Sequence, residues 1–195
     1  MEEATGVYRK INADLWHGFE QGKIGIQELK IKRFRSLLAH FNSDSNPEEM
    51  AVRYLDSLSG KDCLLPHARE TLSSLCYRAP LGLVTNGISR VQRRRIEKAG
   101  IRERFSAIFI SEEQGISKPD ARVFARAAAA LGLPLSRLLF VGDNPATDIL
   151  AAMHAGMDAC WFVPSDAPWP HPAEAPNLSI RELSELLRFA PGLFP

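Results

Sequence analysis

Apolar side chains recur at three- and four-residue steps through about the first sixty residues, and no convincing strand interrupts them. Tyr8, Ile11, Leu15 and Phe19 fall on one helix face. Gly22 breaks that run, and Phe34, Leu37, Leu38 and Phe41 repeat the period. A third helix is punctuated at both ends. Asn46 suits its cap, Pro47 its first position, Glu48 and Glu49 its positive dipole end, and Gly60 its close. From about residue 64 the pattern changes. Short apolar runs at Leu81–Thr85, Ala107–Ile110, Leu138–Val141 and Ala159–Val163 predict strands. Helical stretches follow at about 89–99, 119–131 and 145–155, closed by Gly100, Gly132 and Gly156. Such alternation predicts an α/β core over 64–195, a parallel sheet covered by helices, beside a small helical unit over 1–63. Five prolines between Pro164 and Pro176 predict an irregular tail. Ser179 with Glu182 then reads as a capping box for a last helix through about Phe189.

Composition narrows the class. Hydrophobic residues make up 45% and charged residues 24%, which excludes disorder and low-complexity repeats as descriptions of the whole. Lys plus Arg is 24 against Asp plus Glu 23, a net charge of +1, so no global field favours a nucleic acid polymer or an anionic membrane. No apolar run approaches the roughly 18 residues of a membrane span. Cys63, Cys76 and Cys160 lie far apart without metal-ligand spacing, and their low number fits a reducing cytoplasm.

In parallel sheets, ligands bind at the carboxyl ends of the strands, so chemistry is expected in three loops. The first is Thr85-Asn86-Gly87, whose hydroxyl and amides can donate to a phosphate at a helix N-terminus. It also reads as an ordinary turn with Ser89 as the helix cap. The second runs from Ser111 to Asp120 and holds Lys118 just before a helix whose start Pro119 fixes. A lysine at the positive end of a helix is better explained by an anion beside it, though a solvated loop lysine has the same sequence. The third, Gly142-Asp143-Asn144-Pro145-Ala146-Thr147-Asp148, gathers two carboxylates after a buried strand. Those oxygens suit magnesium, and they equally suit helix capping.

Taken together, threonine, lysine and a Gly-Asp pair at successive strand ends resemble motifs two, three and four of the haloacid dehalogenase superfamily. The resemblance covers about Leu65 to Val163. Leu81-Gly-Leu-Val-Thr-Asn-Gly87 and the stretch from Ser111 to Asp120 resemble the phosphatase-rich branch, which has a helical cap. Asn12-Ala-Asp-Leu-Trp16 through Lys23-Ile24, Trp161-Phe162 and Pro168-Trp169-Pro170 are more particularly similar to its pyrimidine 5′-nucleotidases. The resemblance implies a Rossmann-like core and magnesium-dependent hydrolysis of a phosphate monoester, a nucleotide or another small phosphorylated metabolite. Dehalogenases and phosphomutases share the superfamily. It implies that Thr85 and the Asn86 and Gly87 amides hold the phosphate, and that Lys118 neutralises phosphate and nucleophile. Asp143 would bind magnesium directly, with Asp148 supporting the site.

The family's first motif, Asp-x-Asp-x-Thr, supplies the nucleophile and the general acid/base. No Asp-x-Asp occurs in the 195 residues. The resemblance therefore implies a core without its first, central strand, which would lie between the strands at 81–85 and 138–141 and leave two unpaired edges. Rearrangement, a second chain or a longer functional protein would each answer that gap, and the last is the expectation here. On this reading the 195-residue chain is inactive by itself. The alternative is a catalytically dead relative that binds phosphate or a partner protein.

Other residues read as structural. Trp16 and Phe19 suit helix packing, although they could stack on a base. Arg93-Arg94-Arg95 point in different directions from a helix, as a solvated face does. His17, His40, His67 and His171 show no metal spacing, nothing places His154 at the site, and Glu112 and Glu113 suit either the site's border or the surface.

Overall fold

A computed structural model describes residues 2–60 and 64–193. Cys63 lies outside the described residues. The chain divides into two compact units, Met1–Lys61 and Asp62–Pro195.

The first unit is three helices, α1 (Glu2–Glu20), α2 (Ile26–His40) and α3 (Pro47–Gly60), with α2 packed against both others. Asn46 caps α3 as its sequence implies, its Oδ1 accepting the Glu49 N–H at 2.9 Å. Leu29, Phe34 and Leu38 supply the buried face of α2. Phe34 meets Tyr8 and Tyr54 at ring centroid distances of 5.7 and 5.3 Å. Arg33 is buried in the same cluster, over the Phe34 and Tyr54 rings, and its Nη1 donates to Asn12 Oδ1 at 3.4 Å. Burial pushes the pKa of the Tyr8 hydroxyl well above the usual range. Trp16 packs edge-on against Phe19, the structural role its spacing suggested.

The second unit alternates strand and helix. In order it contains α4 (Ala68–Leu75), β1 (Gly82–Thr85), α5 (Ser89–Lys98), β2 (Ala107–Ile110), α6 (Ser111–Gln114) and α7 (Ala121–Leu131). β3 (Leu139–Gly142), α8 (Ala151–His154), β4 (Asp158–Phe162), β5 (Leu178–Ile180) and α9 (Leu186–Leu193) complete it. Every strand pair is parallel, as the alternation implied. The strands nevertheless form two sheets, β1-β2 and β3-β4-β5, and among the described residues β1 does not pair with β3. Leu83 of β1 and Ile108 of β2 pack on Ile96, Ala99 and Ile101, while Ile149, Ala152, Ala159 and Trp161 form a core around Phe124.

Three local expectations need correction. Pro119 does not open α7; the helix begins at Ala121, and Asp120 caps it by accepting the Arg122 N–H at 2.9 Å. Ser179 lies inside β5, and the capping box is formed instead by Glu182 and Glu185, so the last helix starts later. The stretch 145–155 is not one α-helix. It opens as a wide π-helical turn, Pro145–Leu150, in which the Ile149 N–H reaches Asn144 O at 3.2 Å.

Candidate active site

Three loops leave the carboxyl ends of β1, β2 and β3, and side chains tie them to one another. The turn after β1 carries Thr85, Asn86 and Gly87. The Asn86 side chain spends both its polar atoms on the second loop. Its Oδ1 accepts the Lys118 N–H at 2.8 Å, and its Nδ2 donates to the Lys118 carbonyl at 2.7 Å. A residue 32 positions away is thus held as if by a strand partner. The Asn86 amide oxygen and one of its two N–H groups are thus committed to the Lys118 backbone.

That clamp sets the direction of Lys118. The side chain is buried, and its Nζ pairs with Asp148 Oδ1 at 2.6 Å, reaches Val84 O of β1 at 3.4 Å and lies 5.4 Å from the centre of the Phe140 ring on β3. One ammonium group thus reaches both β1 and β3, the two strands that do not pair with each other. The ring contact adds modest cation–π attraction.

Asp148 owes its place to the wide turn. Asn144 caps this turn, its Oδ1 accepting the Ala146 and Thr147 N–H groups, each at 3.0 Å. Pro145 follows at the first helical position, where its missing N–H costs nothing. The extra residue per turn lets Asp148 fold back, its Oδ2 accepting the Asn144 N–H at 3.2 Å. A Cβ on Gly142 would lie 2.5 Å from both Asp148 Cβ and Oδ2. Glycine is needed here to make room for that carboxylate. Such turns recur at functional sites.

Asp143 stands apart from this pair. Its side chain is exposed, and only its backbone is anchored, the carbonyl accepting the Trp161 indole N–H at 3.1 Å. Among the described residues no group of three or more His, Cys, Asp or Glu could hold a metal by itself. The donor set still fits magnesium, which takes one or two carboxylates and completes its shell with phosphate and water. The two carboxylates of this loop thus diverge, Asp148 inward to Lys118 and Asp143 outward.

Glu112 and Glu113, left open between site and surface, brace α5 instead. Glu112 accepts the Ser89 N–H at 2.7 Å, and Glu113 takes the Ser89 hydroxyl and grips Arg93 through bonds of 2.8 and 2.6 Å. The Arg93 bonds hold the Glu113 carboxyl below its usual pKa. Ser89 is thus the first helical residue and not the cap. His154 pairs with Glu174, and burial pushes the Cys160 thiol up to about 12. Behind the turn after β1 lies a cavity of only ≈ 10 Å³, lined by Thr85 and Ser111 among others, with room for about one water.

One site residue has no counterpart among the sequence candidates. Gln92 of α5 turns back so that its Nε2 donates to Thr85 Oγ1 at 2.7 Å. The available signal was a polar side chain on an apolar stripe, since Ile88, Gln92, Ile96 and Ala99 share one face.

Comparison with known proteins now decides the family. The family description "haloacid dehalogenase-like hydrolase" matches residues 2–156. The chain belongs to the haloacid dehalogenase-like hydrolases. Among them it is 32% identical over 180 residues to the pyrimidine 5′-nucleotidase YjjG of Escherichia coli, covering 92% of this chain and 79% of that protein. It is 33% identical over 159 residues to the pyrimidine 5′-nucleotidase PynA of Streptococcus pneumoniae, covering 80% and 67%. The crystal structure of the hydrolase YfnB of Bacillus subtilis, bound to magnesium, superposes with a TM-score of 0.89 at 29% identity, covering 98% of this chain and 83% of that one. The L-2-haloacid dehalogenase of Xanthobacter autotrophicus, at 18% identity and a TM-score of 0.80, shares the fold. The parallel core and the helical cap are thus those of the haloacid dehalogenase-like family. No helix among the described residues is long and apolar enough to cross a membrane.

Proposed function

We propose that this hydrolase cleaves a small phosphate monoester with magnesium, most consistently a nucleotide, and that it does so only with a further strand between β1 and β3. The observation that carries this reading is the convergence of the Thr85, Lys118 and Asp148 loops at the ends of β1 and β3, two strands that each lack a partner on one edge. Thr85 Oγ1 and the Asn86 and Gly87 N–H groups hold the phosphate. Lys118 neutralises its charge, positioned by the Asn86 clamp and by Asp148. Asp143 is the carboxylate that would meet magnesium. When bound, the ion supplies positive charge to the transferring phosphoryl group. Preorganised charge of this kind is the main requirement of phosphoryl transfer. The nucleotide preference rests on the likeness to the two nucleotidases, and a cytoplasmic setting rests on the few cysteines.

The 195 residues contain no Asp-x-Asp, so on this reading the nucleophile and the general acid belong to that further strand. The same observation supports the second reading, a catalytically dead relative that binds phosphate or a partner protein. The test compares this chain with one extended at its N-terminus by a strand carrying Asp-x-Asp-x-Thr. Phosphate release from p-nitrophenyl phosphate and from nucleoside monophosphates is measured with and without magnesium. The extended chain is expected to turn over and the short chain to be silent. Turnover by the short chain that Asp143→Asn abolishes would overturn the claim that the nucleophile is missing, and an inert extended chain would favour the dead relative.

A further inference from the structure

We infer that Gln92 is a positioning residue that turns the Thr85 hydroxyl outward as a hydrogen-bond donor, and that Gly87 is glycine in order to seat it. The inference rests on the phosphate-binding reading of the turn after β1.

A threonine hydroxyl has one proton to give and two lone pairs. A phosphate dianion offers only acceptors, so the hydroxyl is useful there only when its proton points at the anion. Gln92 Nε2 donates to Thr85 Oγ1 at 2.7 Å and so occupies a lone pair on the protein side. The proton is then left for the open side.

Two observations argue against a merely local role for the glutamine. First, α5 does not need its amide. Ser89 N–H is taken by Glu112, and Gln92 N–H bonds Ile88 O at 2.9 Å as an ordinary helical residue. Second, the side chain lies directly on Gly87. A Cβ there would fall 2.3 Å from Gln92 Nε2, 2.5 Å from Cγ and 2.8 Å from Cδ. Gly87 is not among the glycines with positive φ, so its backbone does not require glycine. Space for Gln92 does. Gly87 is thus the floor beneath the Gln92 side chain.

The test measures the affinity of this chain for inorganic phosphate by calorimetry, with thermal melting as the check on folding. Thr85→Val and Gln92→Leu are each expected to weaken binding about three- to tenfold, the value of one hydrogen bond. The double variant should bind no worse than Thr85→Val alone, because Gln92 acts only through that hydroxyl. Gln92→Glu keeps the size but accepts the Thr85 proton and adds negative charge, so it should bind worse than Gln92→Leu. Gly87→Ala should lower the melting temperature, and it should lower it less in a Gln92→Ala background. A Gln92→Leu loss that persists in the Thr85→Val background means packing and overturns the inference. Loss with Thr85→Val but none with Gln92→Leu or Gln92→Glu overturns it too, while sparing the phosphate reading. No phosphate binding by the unsubstituted chain, or none lost with Thr85→Val, overturns that reading and the inference together.

Discussion

At the Lys118–Asp148 pair, two charges 2.6 Å apart have side chains only 10% and 7% exposed. Burying both is expensive, and their attraction in a water-poor setting offsets that cost only while both are present. Asp148→Asn keeps the size and an acceptor for the Asn144 N–H but removes the negative charge. The expected loss of stability is about 3–5 kcal/mol, as for other broken buried pairs. Lys118→Met strands the carboxylate and should cost a similar amount. The Lys118→Met/Asp148→Asn double variant carries no buried charge and should be more stable than either single variant in urea denaturation. Simple additivity of the two losses would show that the charges do not interact. The sequence suggested each of these residues through its place after a strand, but not their pairing. Asn86 shows why: its side chain bonds a backbone 32 residues away, a relation no local pattern encodes. Gln92 went unread for a related reason, because its partner lies on the preceding turn rather than on its own helix face.

Helix α7 shows the same limit at the scale of an element. Periodicity placed its body, and Gly132 ends it at a φ of +68° as its sequence implies. Its start was misplaced because Pro119 suggested the first helical position, whereas Asp120 has the side chain that caps. Bonds from the Arg122 guanidinium first, and from its backbone N–H second, lower the pKa of the Asp120 carboxyl from 3.8 to about 2. The folded pKa lies below the unfolded one, so the stabilisation is fully present above about pH 4 and is lost as pH falls toward about 2. Its side chain is 33% exposed, so solvent screens part of the charge effect and the capping bond sets the scale. Asp120→Ala is expected to cost about 0.5–2 kcal/mol at neutral pH. Denaturation of both proteins across the acid range should show that difference shrinking as the wild-type carboxylate protonates. A difference unchanged down to about pH 2.5 would mean that the cap works without its charge. The strands were easier to read, each lying within a residue of its apolar run, whereas β5 was missed because only three residues, Leu178–Ile180, form it. The wide turn at Pro145–Leu150 was beyond pattern altogether, since it depends on Asp148 folding back over Gly142.

Across the whole α/β unit, the decisive feature is that the parallel strands form two sheets. Among the described residues only β4 is paired along both edges, with β3 on one side and β5 on the other. Even its first residues alternate sides, Asp158 N–H going to Leu138 O at 3.1 Å and Ala159 N–H to Asn177 Oδ1 at 2.8 Å. β1 and β3 each have a single strand partner, so every second backbone N–H lacks a ladder bond. Between them Lys118 Nζ is the link, joined to Val84 O and lying beside the Phe140 ring. Unpaired edges open easily, whereas a strand held on both sides opens only with its sheet. Amide hydrogen exchange should therefore find the strongest strand protection at Cys160 and Trp161 of β4, with much faster exchange at alternate positions of β1 and β3. Extending the chain with the Asp-x-Asp-x-Thr strand should slow exchange in β1 and β3 while changing β4 little, because only those two edges gain a partner. Equal protection of β1, β3 and β4 in the unextended chain would mean that the two sheets join in solution. The gap would then be closed, and the place assigned to the catalytic strand would be wrong.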